Sequence, residues 1–347
     1  MSDDRLRAAL EGGAWRSGSE IARALGVSRA AVWKGIERLR RRGYEVDAAR
    51  GRGYRLVRVG DRLLPHEIRR HWRARRWRAD IVHRETVDST NRLASELARA
   101  GAPEGTVVVA EAQTAGRGRL GRTWASPAHL NLYLSLLLRP PLAPAEVPRL
   151  TLVAAVAAAE AIEATIGEPP GIKWPNDVLL GGRKAVGILT ELEAESERVR
   201  FAIVGIGVNV NATAADFPPE LRRKATSLAL AGGHPIDRAA FAGRLLARLE
   251  ADYGELVRRG FDALRRRYER YHVLPGRRVR VQGAQALAGT VRGIDADGAL
   301  LVAGRHGVER VVGGEVTLVG AYGGAARGAP KHGARRPGRL ALRRVPA

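Results

Sequence analysis

The sequence contains no cysteine, which excludes disulfides and thiolate metal sites and suits a reducing interior. It also has no apolar run approaching the roughly 20 residues of a membrane span. The longest candidate, TLVAAVAAAEAIEATIG (151–167), is interrupted by two glutamates and reads as an Ala-rich buried helix. The opening MSDDRLRAALEGG carries acids and no apolar segment of signal-peptide length, so a soluble, cytoplasmic protein with no membrane contact is expected. Lysine is nearly absent. Of 59 basic residues five are lysine (Lys34, Lys173, Lys184, Lys224 and Lys331) and the other 54 are arginine. So lopsided a ratio looks like genomic pressure toward arginine codons, which accounts for much of the formal charge of +23. The surplus over 36 acids still points toward anionic partners. The few lysines stand out, because arginine was the easy choice at those positions.

At 347 residues the chain has room for two or three domains. Residues 19–40, SEIARALGVSRAAVWKGIERLR, read as two short helices. Ile21 and Leu25 share a face of the first, and Gly26 is placed to end it. Ser28 caps the second, where Val32, Ile36 and Leu39 follow helical spacing. GYEVDAARGRGYRLVR (43–58) follows as a hairpin around a Gly/Arg tip. The two together form a winged helix-turn-helix pattern over residues 1–60. Ser28, Arg29, Lys34 and Arg38 on the second helix, with Arg50 and Arg52 on the wing, suit a groove-reading helix flanked by phosphate contacts. A helix-turn-helix used for protein contacts has the same pattern. Residues 61–80 read as a connector with one short helix. Residues 81–272 alternate strand-like and helical runs, an α+β unit with one mixed sheet and packed helices. Residues 273–320 are short β runs separated by DADG and Gly-rich turns, expected to form a small β-barrel. Residues 321–347 hold seven basic residues and no acid and read as a disordered basic tail.

The chemistry concentrates in the middle unit. GRGRLGRTW (116–124) combines glycines, which let backbone approach a ligand, with arginines, which offer forked donors to phosphate or carboxylate. Arg117, Arg119 and Arg122 should repel one another without an anion, so the loop is expected to be poorly ordered until it closes on one. No GK[ST] follows, which excludes a P-loop. GIKWPNDVLLGGRKAVGILTE (171–191) carries Lys173 and Lys184, compact charges suited to a reacting centre. Its Trp-Pro-Asn-Asp turn presents Asn176 and Asp177, able to orient a nucleotide or a metal-bound phosphate. VDSTNRLA (87–94) gives Ser89 and Thr90 as a helix cap. GIGVNVN (205–211) puts small residues where a ligand would press on a strand, then offers Asn209.

In this order, STN, Q-T-x-G-R-G-R-x-G-R-x-W (Gln113 to Trp124), KWPND, K-x-x-G-I-L-x-E (Lys184 to Glu191) and G-I-G-x-N-x-N resemble the biotin protein ligases. With the N-terminal winged helix, they resemble the bifunctional subgroup that is both ligase and biotin-operon repressor. The resemblance covers about residues 5–320, and its motifs are specific in combination rather than singly. It implies a class II synthetase-like ligase domain and an SH3-like C-terminal barrel. It further implies a two-step reaction. Biotin and MgATP give biotinyl-5′-AMP and pyrophosphate, and a lysine of a biotin carboxyl carrier domain then attacks the mixed anhydride. On that basis Ser89, Thr90, Asn91 and Gln113 hold biotin, with Gly116, Gly118, Gly187, Gly205 and Gly207 around it. Arg117 and Arg119 grip carboxylate and phosphate, and Lys184 stabilises the attacked phosphorus. Arg122, Trp124, Lys173, Asn176, Asp177 and Asn209 place ATP, with Asp177 toward Mg2+. Operator DNA and a ligand-promoted homodimer are the implied partners. Leu120 and Val319 depart from the basic residues that some members carry there; Val319 weakens a contact between the barrel and ATP. A ligase with an idle winged helix, a non-catalytic biotin-sensing regulator and a lipoate-type ligase remain as alternatives.

Overall fold

The computed structural model describes residues 3–10, 12–41, 44–58, 61–77, 79–282 and 286–319. The basic tail lies outside the described residues. The N-terminal unit has helices α1 (Asp3–Leu10), α2 (Gly18–Leu25) and α3 (Arg29–Arg41), then an antiparallel hairpin of β1 (Glu45–Ala49) and β2 (Gly53–Arg58). Gly26 closes α2 in the left-handed conformation, φ 67°. Ser28 Oγ opens α3 by accepting the Ala31 N–H at 3.1 Å. Leu6 and Leu10 of α1, a helix the periodicity did not single out, complete the core against Ile21, Val32, Ile36 and Leu39.

The connector is packed down. α4 (Pro65–His71) buries Ile68, and Trp72 and Trp77 follow it into the main core. One buried carboxylate holds the chain between the tryptophans. Glu250 accepts the backbone N–H groups of Arg75, Arg76 and Trp77 and the indole N–H of Trp72. Upstream, the fully buried Arg238 donates to Asp61 at 2.9 Å, to Glu111 at 2.9 Å and to the Asn131 carbonyl at 3.0 Å. Burial pushes the Glu111 carboxyl up, but the His83 hydrogen bond and the Arg238 charge outweigh it and hold the group down to about 2.

The middle unit comprises β3 (Ile81–Val87), α5 (Thr90–Arg99), β4 (Val107–Gln113), β5 (Leu132–Leu138), α6 (Pro148–Ile166), β6 (Gly171–Lys173), β7 (Asp177–Leu180), β8 (Arg183–Glu195), β9 (Arg198–Val208), α7 (Leu228–Gly232), α8 (Arg238–Arg259) and α9 (Asp262–Tyr271). Its seven strands form one mixed sheet in the order β3-β4-β5-β9-β8-β7-β6, in which β3–β4 is the parallel pair. Side chains alternate between its faces. Val107, Val109, Leu134, Leu136, Val204 and Ile206 pack toward α6 and α8. Val108, Leu137, Phe201 and Ile203 pack with Ala94 and Ala98 of α5.

The C-terminal strands β10 (Arg278–Gln282), β11 (Leu287–Ile294), β12 (Leu300–Gly304), β13 (Gly307–Val311) and β14 (Glu315–Leu318) form an antiparallel sheet in the order β13-β12-β11-β10-β14. Among the described residues no ladder joins β13 to β14, so the closed barrel expected from the sequence is not found. The inner face has another way to leave water. Val279, Val281, Val291, Leu300 and Val316 belong to the same apolar core as α6 and the central strands, and the Trp174 indole N–H donates to the Gly298 carbonyl at 3.0 Å.

Candidate active site

The α5 face of the sheet changes character along β9. Beneath the helix it is apolar, at Phe201 and Ile203. Two and four residues further along the same face come Gly205 and Gly207, opposite Leu189 and Gly187 of β8. The missing side chains make room for a partly open cavity. Both glycines are required by close approach. A Cβ at Gly205 would lie 2.1 Å from Asn91 Oδ1, and one at Gly207 2.5 Å from the Trp124 ring.

Ser89, Thr90 and Asn91 enter from the start of α5, and Gln113 from the end of β4. Ser89 precedes α5, but its hydroxyl makes no capping bond. Instead Gln113 Oε1 accepts the Thr90 N–H at 2.9 Å and lies 3.2 Å from Thr90 Oγ1, while its Nε2 donates to Ser126 at 2.9 Å. Ser135, on β5, donates to Asn91 Oδ1 at 2.6 Å and lies 2.8 Å from Thr90 Oγ1. The Ser89, Thr90, Asn91 and Gln113 side chains at this end of the cavity are therefore polar and themselves uncharged. Tyr133 and Leu189 supply apolar walls, and the backbone of Leu134, Ile188 and Ile206 lines the floor.

Arg117, Gly118, Arg119 and Trp124 cover the cavity, and Asn176 and Lys184 line it as well. The glycine-arginine loop is folded into a turn. Gly118 donates to the Arg122 carbonyl at 2.6 Å and Trp124 to that of Gly116 at 2.9 Å. The mutual repulsion expected of its arginines is met by three separate partners. Arg117 pairs with Glu191 at 3.1 Å. Arg119 donates to Asn176 Oδ1 at 2.9 Å and to the Gly314 carbonyl at 3.0 Å. Arg122 pairs with Glu315. The Arg122 hydrogen bond and charge, with Lys173 and Arg119 nearby, hold the Glu315 carboxyl below the usual carboxylate range. Burial lowers the Arg119 guanidinium from its ordinary value, against the pull of Asp177 and Glu315.

Lys184 Nζ lies 2.6 Å from Asp177 and 5.4 Å from the centroid of the Trp124 ring. The buried Trp124 Nε1 has no acceptor among the described residues. One cavity thus combines neutral hydrogen-bonding groups, an apolar wall and a cationic end, which suits an amphiphilic carboxylic acid beside a phosphate.

The family described as biotin/lipoate A/B protein ligases matches residues 83–209, a helix-turn-helix domain matches 10–55, and the biotin protein ligase C-terminal domain matches 276–319. The bifunctional ligase/repressor BirA of Bacillus spizizenii is 43% identical over 306 residues, covering 87% of this chain and 93% of that protein. Its counterpart from Escherichia coli is 32% identical over 323 residues, covering 90% and 96%. The chain belongs to the biotin protein ligase family. A structure of the biotin protein ligase from Aquifex aeolicus in complex with biotin and ATP superimposes with a TM-score of 0.61 at 31% identity, covering 70% of this chain and 99% of that one.

Not every position singled out by the biotin protein ligase motifs meets the cavity. Gly116, Arg122, Lys173 and Asp177 lie outside its lining. Asn209 is turned inward, its amide donating to the carbonyls of Thr226 at 3.0 Å and Lys184 at 3.4 Å. It ties β9 to the strand of Lys184. Tyr133 and Ser135 escaped the motif reading, although the period of two in NLYLSLLL puts them on one face; Glu191 closes the K-x-x-G-I-L-x-E motif but is given no role by it. In the N-terminal unit, Arg29, Lys34, Arg50 and Arg52 are exposed, and Arg52 lies 4.8 Å over the Trp15 ring. Arg38 differs: it is bonded to Asp3 of α1 at 3.0 Å, so it braces the helices. No described helix is long and apolar enough to cross a membrane.

Proposed function

We propose that this biotin protein ligase activates biotin with ATP and transfers it to a lysine of a biotin carboxyl carrier domain, and that its N-terminal unit represses a biotin operon. The observation that carries the ligase reading is the cavity itself. Its neutral end offers the Ser89 hydroxyl and the remaining Gln113 N–H to a ureido head, and its cationic end holds Arg117, Arg119 and Lys184.

In the first step a carboxylate oxygen of biotin bonds to the α-phosphorus of ATP and pyrophosphate leaves. Arg117 orients the carboxylate. Lys184, held by Asp177, faces the phosphorus as negative charge builds on it. Trp124 offers its ring face and free N–H to the nucleotide. The loop 116–124 excludes water, so the mixed anhydride survives. In the second step the carrier amine attacks the acyl carbon, loses a proton, and AMP leaves. Magnesium, implied for the nucleotide, would meet the Asp177 carboxylate, which is already paired with Lys184. Among the described residues no group of three or more His, Asp or Glu could hold a metal. An ion would therefore be carried by the phosphates, and no step is assigned to it.

The repressor reading is supported by the exposed cations on α3 and the wing. A ligand-promoted homodimer would present two α3 helices to an inverted repeat. A cytoplasmic setting follows from dependence on ATP. The test is biotin-dependent exchange of labelled pyrophosphate into ATP. Exchange equally fast without biotin would reject the ligase.

A further inference from the structure

Glu191 closes the K-x-x-G-I-L-x-E motif, and the roles above leave it without a task. On β8 it stands opposite Ile203, on the face that carries Gly187 and Leu189. Its carboxylate is one-third exposed and reaches two cavity residues from different elements. Oε2 accepts Asn91 Nδ2 at 2.7 Å and the Arg117 guanidinium at 3.1 Å. Asn91 is 4% exposed, and its amide is fixed on every side. Ser135 donates to Oδ1 at 2.6 Å, and Nδ2 also reaches the Leu189 carbonyl at 3.3 Å. Asn91 therefore uses both N–H groups on the protein and can offer a ligand only acceptor capacity. Arg117 is the opposite case. It is half exposed, stands between two glycines and finds no other charged partner among the described residues.

We infer that Glu191 is a positioning residue for the ligase reaction: one carboxylate fixes both Arg117 above the cavity and Asn91 beneath it, so the guanidinium meets the substrate carboxylate in a single place. The inference rests on the ligase reading. An arginine flanked by glycines has wide conformational freedom, and holding one conformer beforehand removes that ordering from the binding step. The guanidinium has five N–H donors. Glu191 engages it through one terminal nitrogen, which leaves the rest of the fork for an incoming anion. A partly exposed pair contributes little to stability, so the effect falls on substrate affinity.

E191Q keeps an acceptor for Asn91 and removes the charge that holds Arg117; E191A removes both. In biotin-dependent pyrophosphate exchange, E191Q should raise KM for biotin about 5-fold and leave kcat within about twofold, the split expected for a lost charge-assisted contact. E191A should raise KM further. In an Arg117→Ala background, E191Q should change KM by less than about twofold, because the residue through which it acts is gone. Thermal unfolding confirms that each variant is folded. An unchanged KM in E191Q overturns the inference, as does an equal rise with and without Arg117, or a fall in kcat at constant KM. Wild-type protein with no biotin-dependent exchange would instead reject the ligase reading, and this inference with it.

Discussion

Alanine at Gly207 tests the placement of the Trp124 indole. The added methyl would lie 2.5 Å from Trp124 Cε2 and 2.6 Å from Nε1. Carbon contacts settle near 3.5–4.0 Å, so the ring must retreat by roughly 1 Å. Its retreat is constrained. A Cβ at Gly187 would sit 2.7 Å from ring atom Cζ3, so the ring lies on both glycines. The Trp124 backbone N–H is bonded to the Gly116 carbonyl, and Lys184 stands over the ring. Overpacking of this kind costs about 1–3 kcal/mol, which corresponds to roughly 5- to 150-fold in affinity. Gly207 lies in an extended strand, so no backbone strain is added. The loop, not the core, absorbs the displacement, and the cost should fall on substrate affinity more than on global stability. Pyrophosphate exchange should show KM for biotin or ATP raised at least about 5-fold, with a small change in Tm. Gly187→Ala pushes the same ring, so the double variant should be less than additive. Wild-type KM values for both substrates in Gly207→Ala would refute the placement of Trp124.

Lys184→Arg widens and moves the charge facing the phosphorus; adenylate formation should fall about 100-fold with ligand-free DNA binding unchanged, measured by single-turnover kinetics and DNA titration. His272 is buried with both ring nitrogens unpartnered among the described residues, and burial pushes it down to about 4 from an ordinary 6.5. The unfolded chain takes up the proton first, so this contribution is intact above about pH 6.5 and lost as pH falls toward 4. Asp252, raised to about 6 mainly by burial, works in the opposite direction over this range, so the His272 part is read by comparison. In urea unfolding the difference between wild type and His272→Phe should shift by about 2 kcal/mol between pH 7 and pH 5. Glu250→Ala strands the N–H groups of residues 75–77 and should cost at least about 3 kcal/mol by the same assay. Operator binding should fall steeply with salt, since Arg29, Lys34, Arg50 and Arg52 are exposed cations; a fragment of residues 61–319 binding as tightly as the full chain would show that α3 is not the reader.

The legible parts of the sequence are those set by local chemistry. Gly26 and Ser28 mark the turn between α2 and α3 by conformational preference and capping. Period-two runs in β5, β8 and β9 reveal the strands, and the small residues at 205 and 207 locate the ligand face. What escaped depends on contacts distant along the chain. The sequence places Arg122 in an anion-binding motif but gives no sign of Glu315, from the C-terminal sheet, beside it. It offers Asn209 after a run of small residues but gives no sign that its amide reaches the Thr226 carbonyl. The packing of the C-terminal sheet into the core of α6 and the central strands is equally invisible locally. Arg238 gives no local sign of the Asp61 and Glu111 cluster that it gathers.

The most direct test mixes the purified protein with biotin, ATP, magnesium and an unbiotinylated carrier domain, and weighs the carrier by mass spectrometry. A single biotin on one carrier lysine, requiring ATP and lost in Lys184→Arg within the same interval, is the predicted result. An unmodified carrier alongside a fully folded protein would contradict the account.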